Sequence, residues 1–225
     1  MKDNSSTKKK KQPWPTKAVM EQIYELNFWG TDTNADFYSG EGSHDPAIIN
    51  PYVEAVRSFL TSFEEPLVVC DLGCGDFNVG KELFSYTKKY IAVDIVPSLI
   101  ERNRKLFPSD TLEFHCLDIA VGKLPTGDCA FVRQVLQHIS NAEVLQIVRK
   151  LEKYRYVVLT EHIPQDDFIP NKDIISGRNT RLQKQSGIDL LKAPFHFKVK
   201  ESTKLLSVTP KDGKGVIVTM LYETF

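Results

Sequence analysis

No run in this sequence approaches the roughly 20 consecutive apolar residues that a membrane-spanning helix needs, and no hydrophobic core follows the N-terminus as a secretory signal would require. A soluble, cytoplasmic chain with no membrane partner is the expectation. Cysteine is scarce: Cys70, Cys74, Cys116 and Cys129 are all there is. Cys70 and Cys74 straddle a glycine turn, but no second close pair and no matching histidine spacing completes a zinc set, so no metal is expected. Buried free thiols in a reducing compartment follow as the plain reading. Net charge is missing too, with 29 basic residues against 29 acidic ones. That balance conceals a segregation, because six lysines against Asp3 leave the first seventeen residues at +5 and the remainder at about −5. Residues 1–16 read as a disordered basic tail. The acidic body argues against a surface for nucleic-acid phosphates, so no nucleic acid is expected as a partner.

What is present suits one domain of ordinary size. At 225 residues, with 41% hydrophobic and 26% charged content, the chain can bury a proper core and is not wholesale disordered. Residues 17–63 form an N-terminal helical region, with a helix over Lys17 to Leu26 placing Val19, Ile23 and Leu26 on one face. A loop through Trp29-Gly30 and Ser39-Gly40-Glu41-Gly42-Ser43 follows. Asp45-Pro46 then starts a second helix, carboxylate as cap and proline at the first position, with Ile49, Tyr52, Val53, Val56, Phe59, Leu60 and Phe63 at helical steps. From residue 64 strands and helices alternate. Strands are expected over Leu67–Cys70, Tyr90–Val93, Leu112–Cys116, Asp128–Val132 and Tyr156–Leu159. Helices are expected over Val79–Thr87 and Pro97–Phe107, and after the capping box Ser140-Asn141-Ala142-Glu143. Residues 164–194 carry Pro164, Pro170 and Pro194 and no apolar period. Two β-patterned runs, Thr203–Val208 and Val216–Tyr222, flank an Asp-Gly connection and read as an antiparallel hairpin. The fold class is therefore α/β: a Rossmann-like parallel sheet covered by helices on both faces, with a C-terminal antiparallel hairpin at one edge.

The segment that carries chemistry is Val68-Val69-Cys70-Asp71-Leu72-Gly73-Cys74-Gly75. It reads as a buried strand running into a glycine turn, and a second apolar run ends in Asp94 about twenty residues on, the pattern of a nucleoside-binding unit. The dinucleotide fingerprint wants a third glycine where this chain has Asn78, and Gly80 comes two residues late. Asp71 at the strand end would repel a pyrophosphate but suits an amine-bearing ligand. The residues thus disfavour a nicotinamide cofactor and favour a ligand combining ribose, adenine and an amino acid.

Asp71-Leu72-Gly73-Cys74-Gly75, Asp94 and Asp118 resemble the cofactor motifs of class I S-adenosylmethionine-dependent methyltransferases. The resemblance spans roughly residues 65–160, and the seven-stranded fold it implies includes the terminal hairpin. Asp76-Phe77-Asn78, Asp94-Ile95-Val96-Pro97 and Arg133 to His138 are similar to a poorly characterised bacterial subgroup, and the Trp29-Gly30 and Ser39 to Ser43 elements resemble its N-terminal lid. Residues 64–225 would then be the cofactor-binding domain. Gly73, Cys74 and Gly75 would let the backbone approach S-adenosylmethionine, with a helix N-terminus following the turn. Asp71 would face its amino group, Asp94 with Ile95 its ribose, and Asp118 with Ile119 its adenine. Arg133 and Gln134 would lie near the methionine part, and Trp29 would close over the cofactor. His138 is the candidate catalytic base, Glu161 and His162 after strand five could touch substrate, and Arg178 and Arg181 could hold an anionic group. Phe77 departs from the family pattern, which has a third glycine there. A bulky residue at that position is expected to reshape the turn near the methionine moiety. The activity implied is methyl transfer to a small-molecule or sugar-containing acceptor, with S-adenosylhomocysteine as product. An inactive relative serving as a binding scaffold and a nicotinamide-dependent oxidoreductase are the competing readings. No motif specifies the acceptor atom or an oligomeric interface.

Overall fold

Asp45 begins the first long helix as its sequence demands: its carboxylate accepts from the Ala47 amide at 2.9 Å, and Pro46 occupies the first helical position. In the computed structural model, which describes residues 13–31 and 37–225, this helix is α2 (Pro46–Leu60). It follows α1 (Thr16–Glu25) and precedes α3 (Pro97–Leu106) and α4 (Asn141–Leu151). The lysine run of the expected tail lies outside the described residues. The strands are β1 (Val68–Leu72), β2 (Lys89–Asp94), β3 (Leu112–Cys116), β4 (Cys129–Arg133), β5 (Tyr156–Ile163), β6 (Glu201–Val208) and β7 (Val216–Glu223).

They form one sheet in the order β3-β2-β1-β4-β5-β7-β6. Neighbours from β3 to β5 are parallel, while β7 runs antiparallel to both β5 and β6. The expected α/β sheet with an antiparallel edge is therefore what the chain adopts. Side chains alternate across it with period two. Cys70, Leu72, Ile91, Val93, Ala130 and Val132 pack on the α1 and α4 side. Val69, Tyr90, Ala92, Cys129 and Phe131 pack on the α2 side. The strand order reverses between β1 and β4, and the crevice at such a switch point is where open α/β sheets bind ligands.

Several expected elements shift. Leu26 is not on the buried face of α1. The helix ends at Glu25, so Leu26 turns outward and is 55% exposed. No regular helix spans Val79–Thr87, only two short 3-10 turns, Gly80–Glu82 and Phe84–Tyr86. Glycine, serine and β-branched residues in so short a connection cannot sustain α-helical turns. The glycine turn consequently has no helix N-terminus behind it. Strand β5 continues four residues past Leu159, because β7 pairs with it as far as Ile163. Cys70 and Cys129 are buried free thiols as expected, but Cys116 is exposed and Cys74 half-buried.

Phe77 is the sharpest departure. Its backbone is left-handed, with φ +65°, the conformation that the family's glycine would take without cost. Its ring does not reach the turn's ligand side. It is fully buried among Phe84, Tyr90, Phe107 and Phe114, with centroids 4.9–6.3 Å apart. A Cβ on Gly80 would lie 2.3 Å from this ring, so Gly80 is the space the phenyl group needs. Two effects oppose each other here. Truncating a buried Phe costs about 3–5 kcal/mol, whereas left-handed strain on a side-chain-bearing residue costs about 1–2 kcal/mol. Phe77→Ala should therefore destabilise strongly. Phe77→Gly should be no worse than Ala, although glycine elsewhere costs about 1 kcal/mol more. Urea midpoints would check the order, and a clearly less stable glycine variant would remove the strain argument.

Candidate active site

The glycine turn is fastened to the end of β2. The Gly73 and Cys74 amides both donate to the Val93 carbonyl, at 2.8 and 2.9 Å. Gly73 (φ +102°) and Gly75 (φ +55°) supply the left-handed backbone this needs. The buried Asp94 carboxylate then accepts from the Gly75 amide with one oxygen and from the Val96 amide with the other, each at 3.0 Å. Burial raises its pKa against those two amides.

A cavity of about 480 Å³ opens above this turn at the carboxyl ends of β1 and β4. Asp71, Tyr90, Phe131 and Arg133 enter it from the sheet face that carries α2. Asp71 is buried and accepts from the Tyr90 hydroxyl at 2.9 Å, and burial pushes its pKa up to about 7 despite Tyr90 and the nearby Arg133. Arg133 lies with its guanidinium 4.8 Å over the Tyr52 ring. A second, narrower cleft of about 70 Å³ meets the cavity at Gly73, Asp94, Ile95 and Met20. Its walls are Leu117, Asp118, Ile119 and Ala120. Asp118 accepts from the Ala120 amide at 2.8 Å with one oxygen. Asp94 is thus the one carboxylate among the four residues at which the two spaces meet.

Residues 37–44 lie over the cavity and are tied down at several points. Asp76 is the main anchor. Its carboxylate accepts from the Ser39 amide at 2.9 Å and meets His44 Nε2 at 2.6 Å, while its own amide donates to Ser39 Oγ at 2.9 Å. Burial works to raise the Asp76 pKa, yet His44 and the Asn78 and Ser39 amides hold the carboxyl below the usual carboxylate range. The Asn78 side chain donates to the Ser43 carbonyl at 2.8 Å, and Tyr24 and Ser39 share a hydroxyl pair at 3.0 Å. Arg133 donates to the Gly42 carbonyl and, at 3.1 Å, to Ser43 Oγ. Arg133 thus holds the overlying loop rather than an outward acidic partner. Sequence reasoning missed Asp76 and His44 as a pair, since 32 residues separate them.

The remaining wall is the turn after β4 together with Trp29. His138 and Trp29 are in ring contact at 5.1 Å, and Tyr24 meets Trp29 edge-on at 5.2 Å. Burial drives the His138 pKa down to about 4, so its imidazole is neutral at physiological pH. Trp29 Nε1, Gln134 Nε2 and His138 Nδ1 are buried without a hydrogen-bond partner. Orphaned polar atoms beside a cavity are what a ligand would satisfy.

Of the residues expected at a site, Asp71, Gly73, Cys74, Gly75, Asp94, Ile95, Arg133, Gln134, His138 and Trp29 all line the larger cavity, and Asp118 and Ile119 line the cleft. Glu161 and His162 do not join them. They lie within β5, where pairing with β7 carries them past the cavity. Glu161 is buried behind the wall, and the His162 ring bonds the Lys214 carbonyl. Arg181 is also absent from the cavity. It is fully buried, its guanidinium committed to the carbonyls of Leu136 and Ile139. Arg178 does stand at the mouth, 5.2 Å over the Phe28 ring. Among the described residues, no three His, Cys, Asp or Glu side chains converge as a metal site.

Residues 70–154 match the family model described as a methyltransferase domain. No curated protein matches the chain. Among solved structures, it is similar to the N-methyltransferase NodS from Bradyrhizobium japonicum WM9 in complex with S-adenosyl-L-homocysteine, at 12% identity. That match covers 92% of this chain and 98% of the other, with a TM-score of 0.69. Magnesium protoporphyrin IX methyltransferase (ChlM) from Synechocystis PCC 6803 with bound S-adenosylmethionine is similar at 14% identity, covering 96% and 100%, with a TM-score of 0.57. At these identities the likeness is one of fold.

Proposed function

We propose that this chain, whose residues 70–154 match a methyltransferase domain, is an S-adenosylmethionine-dependent enzyme that methylates a small-molecule or sugar-containing acceptor by direct in-line displacement in the cavity beneath residues 37–44. The observation that carries this reading is the buried Asp94 carboxylate at the junction of a polar chamber and a narrow apolar cleft.

The residues present fit the cofactor. Two carboxylate oxygens, each with a lone pair beyond its amide bond, suit the two hydroxyls of a ribose. Asp71, which lines the larger cavity, suits a primary ammonium. In the cleft, Ile95, Leu117 and Ile119 can sandwich a purine, and the second oxygen of Asp118 can accept from its exocyclic amine. Gly73, Cys74 and Gly75 present backbone rather than side chain to the space between. The unpartnered N–H groups of Trp29 and Gln134 await acceptor atoms. A cavity of about 480 Å³ lies within the roughly 300–1,000 Å³ typical of small-molecule sites.

The bound sulfonium supplies an already activated methyl group, so the protein's share is alignment and exclusion of water. Residues 37–44, held through Asp76 and Arg133, shield the reacting end. His138 faces the same space as a neutral imidazole, able to accept a proton from a hydroxyl or amine nucleophile. With a pKa of about 4 it is a weak base, so alignment of the acceptor carries more of the catalysis than proton removal. Phe77, expected to reshape the turn near the methionine moiety, directs its ring into the core instead of the cavity.

Calorimetric titration with S-adenosylhomocysteine tests the cofactor reading. Saturable binding with a rise in melting temperature is expected, and absence of both would overturn it. Incubating the enzyme with S-adenosylmethionine and metabolite pools tests the acceptor. A gain of one methyl mass on a small molecule is expected, and methylation confined to protein or nucleic acid would refute the acceptor class.

A further inference from the structure

The wall that carries Gln134 and His138 is a one-turn 3-10 helix, Leu136–His138, preceded by a left-handed residue, Gln134, with φ +55°. Two backbone bonds close it, the His138 amide donating to the Val135 carbonyl at 3.0 Å and the Ile139 amide to the Leu136 carbonyl at 3.3 Å, but so short a turn leaves its other amides and carbonyls without an internal partner. Two buried ionisable side chains supply further partners from outside. At the amino end, Glu161 accepts from the Leu136 amide with one oxygen and from the Gln137 amide with the other, both at 2.9 Å. At the carboxyl end, Arg181 donates to the Leu136 carbonyl at 2.6 Å and to the Ile139 carbonyl at 2.7 Å, and caps Asn141 Oδ1 at 2.6 Å. Acceptors therefore face the amide end of the turn and donors its carbonyl end, each meeting groups that a single turn leaves open. Strand β5 adds a third hold, its Thr160 carbonyl accepting from the Gln134 amide at 2.7 Å.

We propose that Glu161 and Arg181 are positioning residues, clamping the 134–139 turn from both ends so that Gln134 and His138 stay at the cavity wall. Neither touches the cavity itself. Glu161 is 3% exposed and Arg181 0%, and burial moves both toward their neutral forms, Glu161 upward and Arg181 downward in pKa. Apolar residues of like volume would make a cheaper core, so stability alone does not explain two buried ionisable side chains here. Their common property is that their side-chain hydrogen bonds end on residues 136–139 or on Asn141, the first residue of α4. What the turn faces rests on the methyltransferase reading, whereas the clamp can be tested without it.

Trp29, in contact with His138, is the reporter. In a Trp14→Phe background it is the remaining tryptophan. Glu161→Gln and Arg181→Lys should each shift Trp29 emission and weaken S-adenosylhomocysteine binding by about tenfold, since small displacements of a site wall are costly. A lower melting temperature with emission and affinity both unchanged would show a purely structural role and overturn the proposal. Should Glu161→Gln fail to fold, Arg181→Lys, which keeps the charge, carries the same test. Should the parent protein bind no S-adenosylhomocysteine, the function reading falls. Trp29 emission then still decides the clamp: a shift supports it, and no shift overturns it.

Discussion

Asp71→Asn is expected to weaken S-adenosylhomocysteine binding by about 10- to 100-fold and to abolish a release of protons on binding near pH 7. Asp71 is buried, and burial raises its pKa to about 7 from an ordinary 3.8. At neutral pH the free enzyme therefore holds this carboxyl about half protonated. A ligand ammonium within about 4–6 Å favours the ionised form and drives the pKa back down. Binding at pH 7 should release about half a proton, and affinity should rise with pH up to 7, by nearly tenfold per unit well below it. Calorimetry in two buffers of different ionisation enthalpy reads this directly. An unchanged affinity with no buffer dependence in either protein would remove Asp71 from the ammonium site. The stability effect has the opposite sign. The folded-state pKa lies above the unfolded one, so Asp71's contribution is present below about pH 4 and lost as pH rises through 7. Asp71→Asn should therefore melt no lower than the wild type at pH 8, while binding less well.

Asp94→Ala is expected to reduce S-adenosylhomocysteine affinity by at least about 100-fold. Each hydrogen bond from a ribose hydroxyl to the carboxylate contributes roughly 1.5–3 kcal/mol, and about 3 kcal/mol is two decades in affinity. Alanine also leaves the Gly75 and Val96 amides without their acceptor, which loosens the turn itself. Asp94→Asn should fall between, because a carboxamide oxygen retains one amide. Asp118→Ala should cost only a few-fold, since one Asp118 oxygen is occupied by the Ala120 amide and the apolar cleft walls remain. Titration of the three variants gives the ranking. An Asp94→Ala protein that binds like the wild type would mean that the junction does not hold the ribose.

The parts of this site legible in the sequence are those built over a few residues. Asp71, Gly73, Gly75 and Asp94 could be read because strand alternation, turn glycines and strand-end carboxylates repeat at fixed short spacings. The Asp45-Pro46 cap and the Ser140 to Glu143 capping box were legible for the same reason, and both form. Leu26 and the stretch Val79–Thr87 were misread because helix ends and short connections are decided by what packs against them. Glu161 looked like a substrate residue only while β5 was taken to stop at Leu159. Pairing with β7 extended the strand and turned the carboxylate behind the wall.

From the sequence alone came the order of the strands, the four α-helices (the stretch Val79–Thr87 apart), the glycine turn and the carboxylates at its two strand ends, since apolar period and turn chemistry act within a few residues of chain. Tertiary structure alone settled the rest. It sent the Phe77 ring into the core, brought His44 to Asp76 and set Glu161 and Arg181 at opposite ends of one turn. It also raised the pKa of Asp71 and lowered that of His138. Those outcomes depend on burial and on contacts between residues tens of positions apart, and the free energy of a charge is set by what surrounds it in space rather than by its neighbours along the chain.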